Sequence, residues 1–443
     1  MRRKNRFPRP PDPVLALRNT PRAAPGATHG RPNGLSATEP MIVAEGVSRV
    51  FGTREREALA MLAAGEDRAE ILARTGTLVA LNAVSLRVDE GELLVVMGLS
   101  GSGKSTLLRC LNRLVEPSRG TVRVAGREVT RMGTRELREF RRRTFGMVFQ
   151  HFALFPHRTV LENVEFGLEV QGIARAARRR AAEEALGLVG LAGWEDKRLS
   201  QLSGGMKQRA GLARALAADA AVLLMDEAFS ALDPLIRRDM QGELVALQRR
   251  LRKTIVFVSH DLEEAIALGG RIALMKDGAV VQDGTAESIV AAPATSYVER
   301  FVEHVDPAAV LRVGTLVDRG TSAARAGDAR PGTPVVGPDG RLLGRAAAGG
   351  AVVACAGLDA GATLREALPV LAAEPDGVPV VDGAGRYLGV LRRTAALNAL
   401  ARRVPPPAEA SPWTSPSPAS PSTTSATPPS TGSPRTAPAL PAS

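Results

Sequence analysis

Cysteine is nearly absent: the 443 residues contain two, Cys110 and Cys355, far apart in the chain. That excludes a disulfide framework and a cysteine-rich zinc module, and it suits a reducing compartment. Aromatic residues make up only 3%, with two Trp and two Tyr. No run approaches the ~18 apolar residues of a membrane span, so the chain is not expected to cross a bilayer by itself. The basic N-terminus is not followed by an apolar core and does not read as a secretory signal. Lysine is scarce as well, supplying six of the 58 basic residues.

The formal charge is +12, but residues 1–40 hold eight basic and two acidic side chains, half of that excess. The remaining arginines are dispersed, which describes a solvated surface rather than a binding stripe. Nucleic acid is therefore not an expected partner.

Residues 1–40 are rich in Pro, Arg and Gly without periodicity, and residues 404–443 are mostly Pro, Ser, Thr and Ala. Both are expected to be disordered, because such compositions bury too little apolar surface to offset ordering. Met41 opens a strand-like run and is expected to be the true start of the chain. Residues 41–300 alternate apolar strands with amphipathic helices, the pattern of an α/β domain. Residues 305–400 are Gly- and Ala-rich with short β-like runs and read as a second, small α+β domain.

Leu93 to Met97 reads as a buried strand. It runs into Gly98-Leu99-Ser100-Gly101-Ser102-Gly103-Lys104-Ser105-Thr106 and then a helical stretch, Leu107 to Leu114. This is G-x-x-x-x-G-K-[ST] in its strand–loop–helix context. Glycines let backbone N–H groups converge on phosphate oxygens, and the helix points its positive end at them. Lys104 is expected to reach the β- and γ-phosphates, and Ser105 to offer its hydroxyl to Mg²⁺.

Ala221 to Glu227 reads as a second buried strand ending in two carboxylates. Asp226 is expected to hold Mg²⁺. Glu227 is expected to orient and polarise an attacking water. Leu202-Ser203-Gly204-Gly205-Met206 opens a helical run, Lys207 to Ala217, and is a further anion-type turn. Gln150 ends the strand Gly146 to Phe149, and His260 follows the strand Thr254 to Ser259.

The order of these motifs, closed by Ser230-Ala231-Leu232-Asp233 and His260, resembles the ATPase subunit of ABC transporters over residues 41–300. The resemblance implies a P-loop NTPase fold and a homodimer closing head to tail on two ATP molecules. The phosphate loop of one subunit would face the Ser203-Gly204-Gly205 turn of the other. Gln150 then resembles the residue that touches Mg²⁺ and the attacking water. His260 resembles the switch histidine on the γ-phosphate, Asp233 the residue that crosses the dimer interface, and Phe51 the aromatic that stacks on adenine.

Residues 54–76 read as two short helices joined at Gly65, with Leu59, Leu62, Ile71 and Leu72 as apolar contacts. This insert is similar to one in the glycine betaine/proline (quaternary-amine) importer family. So are the stretches 96–100, 150–157 and 226–237. Implied partners are an integral-membrane permease and an extracytoplasmic substrate-binding protein, with this subunit peripheral on the cytoplasmic face. Phe152, Leu154 and Phe155 either help form a groove for a permease helix, as in the family, or are ordinary core residues. The chain has no Trp or Tyr cluster to cage a quaternary ammonium itself. An amino acid or sulfonate cargo, and a soluble ABC ATPase acting on nucleic acid or ribosomes, are the alternatives.

Residues 378–391, with a helix from Thr363 to Leu368, resemble the second half of a CBS domain. Residues 333–344 resemble a shortened first copy. Arg392 and Ala395 stand where nucleotide-binding CBS domains carry a hydroxyl residue and an Asp, which argues against adenosine-nucleotide sensing. Arg386, Arg392 and Arg393 are candidate contacts for anionic lipid, an attraction that salt would screen; the competing reading is a module that only packs on its partner.

Overall fold

The computed structural model describes residues 40–150, 152–325, 329–374 and 376–401. The expected tails, 1–40 and 404–443, lie outside these residues apart from Pro40, as does His151.

A six-stranded sheet forms the centre, in the order 279–285, 271–276, 93–97, 254–258, 222–226, 145–149. The first pair is antiparallel and the others are parallel. Strands Leu93–Met97, Val222–Asp226 and Thr254–Val258 are buried at every position. Both faces of the sheet are covered, so alternate side chains enter different cores. Leu94, Val96, Leu224, Val256 and Val258 face one core, which is closed by helix Lys104–Leu111 and an antiparallel sheet. That sheet runs 78–88, 42–51, 119–124, 127–128. Val95, Met97, Leu223, Met225 and Phe257 face the other core, beneath helices 160–170, 175–188 and 204–217.

The phosphate-loop helix starts at Lys104, earlier than the stretch 107–114 read from the sequence, and ends at Leu111. Gly103, with φ 99°, turns the chain directly into the helix, and Arg113, with φ 54°, stops it. The insert forms two helices, Glu55–Ala63 and Arg68–Thr75, and Gly65 between them has φ 82°. Ala58, Met61 and Ile71 pack against Val50 and Val79, with Leu59 and Leu62 at the edge. Leu72, expected inside, is exposed: it lies at the solvent-facing edge of the stripe formed by the buried Ile71 and Thr75, turned about 100° from Ile71.

The C-terminal part carries two three-stranded sheets, 334–336/342–346/352–353 and 358–359/378–381/387–391. Their hairpins meet back to back: the N–H of Leu342 donates to the Gly385 carbonyl, and that of Tyr387 to the Gly340 carbonyl. The second sheet is backed by helices Leu364–Ala373 and Arg393–Ala401. Among the described residues from 317 to 357, no helix backs the first. The buried core runs on from Val298 and Val302 to Val310, Leu311, Leu364 and Leu371 without a break between 300 and 305.

Candidate nucleotide site

The parallel strands 93–97, 145–149, 222–226 and 254–258 end on the same edge of the sheet, where ligands bind in open α/β folds. Gly98, Gln150, Glu227 and the Ser259–His260 pair follow those ends directly.

The phosphate loop is shaped by close approach. Gly98 has φ 144°, and a Cβ there would lie 2.3 Å from the Met275 carbonyl oxygen. A Cβ on Gly103 would lie 2.4 Å from the Ala80 carbonyl oxygen. Gly101 also has positive φ, 79°, but faces open space. Lys104 is 5% exposed; its Nζ donates to the carbonyls of Gly98 at 2.8 Å and Leu99 at 3.1 Å. Burial lowers the pKa of this ammonium, and Glu227 and Asp226 pull the other way. Ser102 Oγ is buried with no hydrogen-bond partner. An orphaned hydroxyl, a buried ammonium and glycines that a Cβ would block fit an anionic phosphate chain. Ser100 and Thr106 flank this core of the loop.

Ser105 Oγ donates to Asp226 Oδ1 at 2.7 Å. Asp226 is 8% exposed, and its other oxygen lies 3.5 Å from Arg109 Nη2. A hydroxyl and a carboxylate are hard oxygen donors that suit Mg²⁺, which takes most of its ligands from water and phosphate.

Three catalytic candidates converge beside this pair. Gln150 Nε2 donates to Glu227 Oε2 at 3.1 Å, and His260 Nδ1 lies 3.5 Å from Glu227 Oε1. Glu227 has φ 47°, uncommon for a side-chain-bearing residue, and its N–H donates to the Val258 carbonyl.

Ser230, to which the sequence reading gave no role, receives a second bond from Gln150 at 3.2 Å and donates to the Glu227 carbonyl at 3.0 Å. Arg237, also missed, donates to the Ser230 and Leu232 carbonyls and to Asp261. Both lie within a turn or two of named residues, Glu227 and Asp233. Only the folded backbone shows that they face inward.

Other candidates stand apart from this cluster. Ser203 caps helix Gly204–Ala217 by accepting from the Met206 N–H, and Ser203 and Gly204 are exposed. Gly205 is buried, and a Cβ on it would lie 2.8 Å from Ile236. Asp233 is exposed at the start of helix Pro234–Leu251. Phe51 is 39% exposed, with the Arg49 guanidinium 4.5 Å from its ring centre. Beyond Gln150, a groove of about 350 Å³ is lined by Phe149, Phe155, Phe166 and Val170. Phe152 and Leu154 pack inward instead. Arg214 holds the carbonyls of Phe152 and Ala153, both at positive φ.

Residues 81–230 match the family described as ABC transporter. The chain is 55% identical over 278 residues to the glycine betaine transport ATP-binding protein OpuAA of Bacillus subtilis, covering 63% of this chain and 66% of that protein. It is 51% identical to the glycine betaine/carnitine transport ATP-binding protein GbuA of Listeria monocytogenes, over 63% of this chain and 70% of that protein. The trimethylamine N-oxide transport system ATP-binding protein TmoW of Ruegeria pomeroyi is 44% identical over 82% of this chain and 97% of its own length. The chain belongs to the ATP-binding proteins of ABC transporters. The P-loop ABC ATPase fold read from the motif order is thus the fold of the chain's ATP-binding region, which includes the matched residues 81–230. Among the described residues, no helix of this ABC protein is long and apolar enough to cross a membrane.

Proposed function

We propose that this chain is the ATP-hydrolysing subunit of an importer for glycine betaine, proline or a related quaternary-amine osmolyte, acting in osmoprotection. The observation that carries the catalytic part is the meeting of Gln150, Glu227 and His260 at the ends of strands 145–149, 222–226 and 254–258. The cargo rests on the relatives named above. A second reading, trimethylamine N-oxide, is favoured by the long alignment with TmoW, which extends beyond the ATPase region.

In this reading the loop 98–106 binds the ATP phosphates, with Lys104 exchanging its loop carbonyls for β- and γ-phosphate oxygens. Mg²⁺, held through Ser105 and Asp226 near Gln150, would neutralise phosphate charge. Glu227 accepts the proton of the attacking water, whose oxygen bonds to the γ-phosphorus. The bond from that phosphorus to the bridging oxygen breaks, leaving ADP and phosphate. Gln150 fixes one Glu227 oxygen, and His260 stands beside the other, within reach of the γ-phosphate. The Phe51 ring, backed by Arg49, offers its free face to adenine.

Two subunits close head to tail. The exposed Ser203–Gly204 turn of each completes the other's phosphate site, and Asp233 lies at the seam. The groove beside Phe155 receives a helix of the permease at the cytoplasmic face of the membrane. An extracytoplasmic binding protein selects the cargo. Residues 305–400 form a CBS-like regulatory module with a shortened first repeat, supported by the paired hairpins. Arg392 is tied to Asp318 and Thr321, Arg393 to the Leu371 and Ala372 carbonyls, and Arg386 to Asp382. That pairing favours a packing role for these arginines over lipid contact.

The test is uptake of labelled glycine betaine and trimethylamine N-oxide by cells carrying the wild type or Glu227→Gln, at low and high osmolarity. Osmotically stimulated uptake of one of these that the variant abolishes supports the reading. Uptake of both that ignores the variant removes the osmolyte cargo.

A further inference from the structure

The phosphate loop has a neighbour outside the motifs that built it. Helix Ser296–Val302 leads from the ATPase core to the C-terminal region. Its Val298 and Val302 are buried in the apolar core that continues through Val310, Leu311, Leu364 and Leu371, and Tyr297 packs at the edge of that core. Its hydroxyl donates to the Met275 carbonyl at 3.4 Å, and its ring lies 5.2 Å from Lys276 Nζ and 6.0 Å from the Phe301 ring.

Met275 is the residue whose carbonyl presses on Gly98, the first residue of the phosphate loop. Burial pushes the Tyr297 hydroxyl's pKa up, and the Leu99 backbone works against it. The carbonyl of the same Leu99 receives Lys104 Nζ at 3.1 Å. The Met275 carbonyl thus meets Tyr297 on one side and the first residue of the phosphate loop on the other. The far side of the loop is fixed separately: the Gly278 N–H donates to the Ser102 carbonyl.

We propose that Tyr297 is a positioning residue for the phosphate loop, through which the packing of the C-terminal region sets nucleotide affinity. The inference rests on the reading of loop 98–106 as the nucleotide site. Without the hydroxyl, the Met275 carbonyl that abuts Gly98 loses its side-chain partner, and the loop is freer to leave the geometry that phosphate requires. Helix 296–302 belongs to the apolar core that continues into the C-terminal region, so loosening that core should loosen Tyr297 and with it the loop. Linkage makes the effect reciprocal: bound nucleotide must stabilise helix 296–302.

Tyr297→Phe tests this in the full chain, because it keeps the ring against Lys276 and Phe301 and removes only the hydroxyl. The expected result is a KM for ATP and a Kd for ADP raised about three- to tenfold, with kcat within about twofold of wild type. The Leu99 amide should exchange hydrogen faster in the variant. ADP should slow exchange across residues 296–302 in the wild type and do so less in the variant. Wild-type KM, Kd and Leu99 exchange in Tyr297→Phe would overturn the proposal. A lowered kcat at unchanged KM would overturn it too, since it would mean a role in chemistry rather than in holding the loop. If the wild type itself bound no ADP, the nucleotide-site reading would fall instead, and the two failures are told apart by that control.

Discussion

His260 Nδ1 lies 3.5 Å from Glu227 Oε1, while Gln150 Nε2 donates to Glu227 Oε2 at 3.1 Å. The carboxylate is thus tied by Gln150 on one side and flanked by His260 on the other before any substrate arrives. Glu227→Gln keeps the shape and the Gln150 contact but removes the proton acceptor. Turnover of ATP should fall at least about 100-fold, the usual scale for a general base. ATP binding, read by equilibrium titration, should persist. A variant that hydrolyses ATP at the wild-type rate would take Glu227 out of the chemistry.

The loop glycines should separate by surroundings rather than by conformation. Gly101 and Gly103 both have positive φ, but only Gly103 is crowded, by the Ala80 carbonyl at 2.4 Å from a built Cβ. Gly101→Ala should cost about 1 kcal/mol from backbone strain alone. Gly103→Ala should cost about 1–3 kcal/mol more, because backbone must move. Thermal unfolding without nucleotide checks this: Gly103→Ala should melt several degrees below Gly101→Ala. Equal melting temperatures would mean that the strand carrying Ala80 yields freely.

Much of the ATPase region was legible from sequence because each chemical group sits directly after a buried strand. Leu93–Met97, Val222–Asp226 and Thr254–Val258 are short apolar runs, and parallel strands place their ends on one edge by construction. What lay hidden depends on long-range packing. Ser230 and Arg237 are ordinary polar residues until the chain folds back. Tyr297 reaches the Met275 carbonyl beside the phosphate loop only because helix 296–302 folds back against the end of strand 271–276. The insert's helices were visible, yet Leu72 was assigned to the wrong face. A short helix admits more than one apolar stripe until its start at Arg68 fixes the phase.

The two thiols should differ in reactivity. Cys110 is fully buried behind the phosphate loop, and burial pushes its pKa up to about 12. The thiolate is the nucleophile, so Cys110 should resist alkylation in the folded protein at mildly alkaline pH. Cys355 is only partly buried. Titration with iodoacetamide, followed by peptide mass analysis, should find Cys355 modified in the native protein and Cys110 only after denaturation. Early modification of Cys110 would reveal opening of the core around helix 104–111.

Glu264 should make stability depend on pH through the segment that carries His260. It is 6% exposed, accepts from Gln241 Nε2 at 3.2 Å and receives the Ser259 hydroxyl. Burial raises its pKa above the ordinary 4.5; the bonds from Ser259 and Gln241 oppose this, Asp261 adds to it and Arg237 opposes it. The folded state therefore holds this proton more tightly than the unfolded chain does. As pH rises from about 4.5 the unfolded chain loses the proton first, and the native state loses relative stability until pH passes the raised folded value. Glu264→Gln stays neutral throughout and can keep the Gln241 bond. The melting temperature of the wild type should thus fall relative to Glu264→Gln as pH rises above about 4.5, and the gap should level off once pH passes the raised folded value. A gap independent of pH would mean that Glu264 is ionised in the fold as readily as outside it. Ser259 immediately precedes His260, so turnover measured across the same range should show whether this buried carboxyl also sets the position of the histidine.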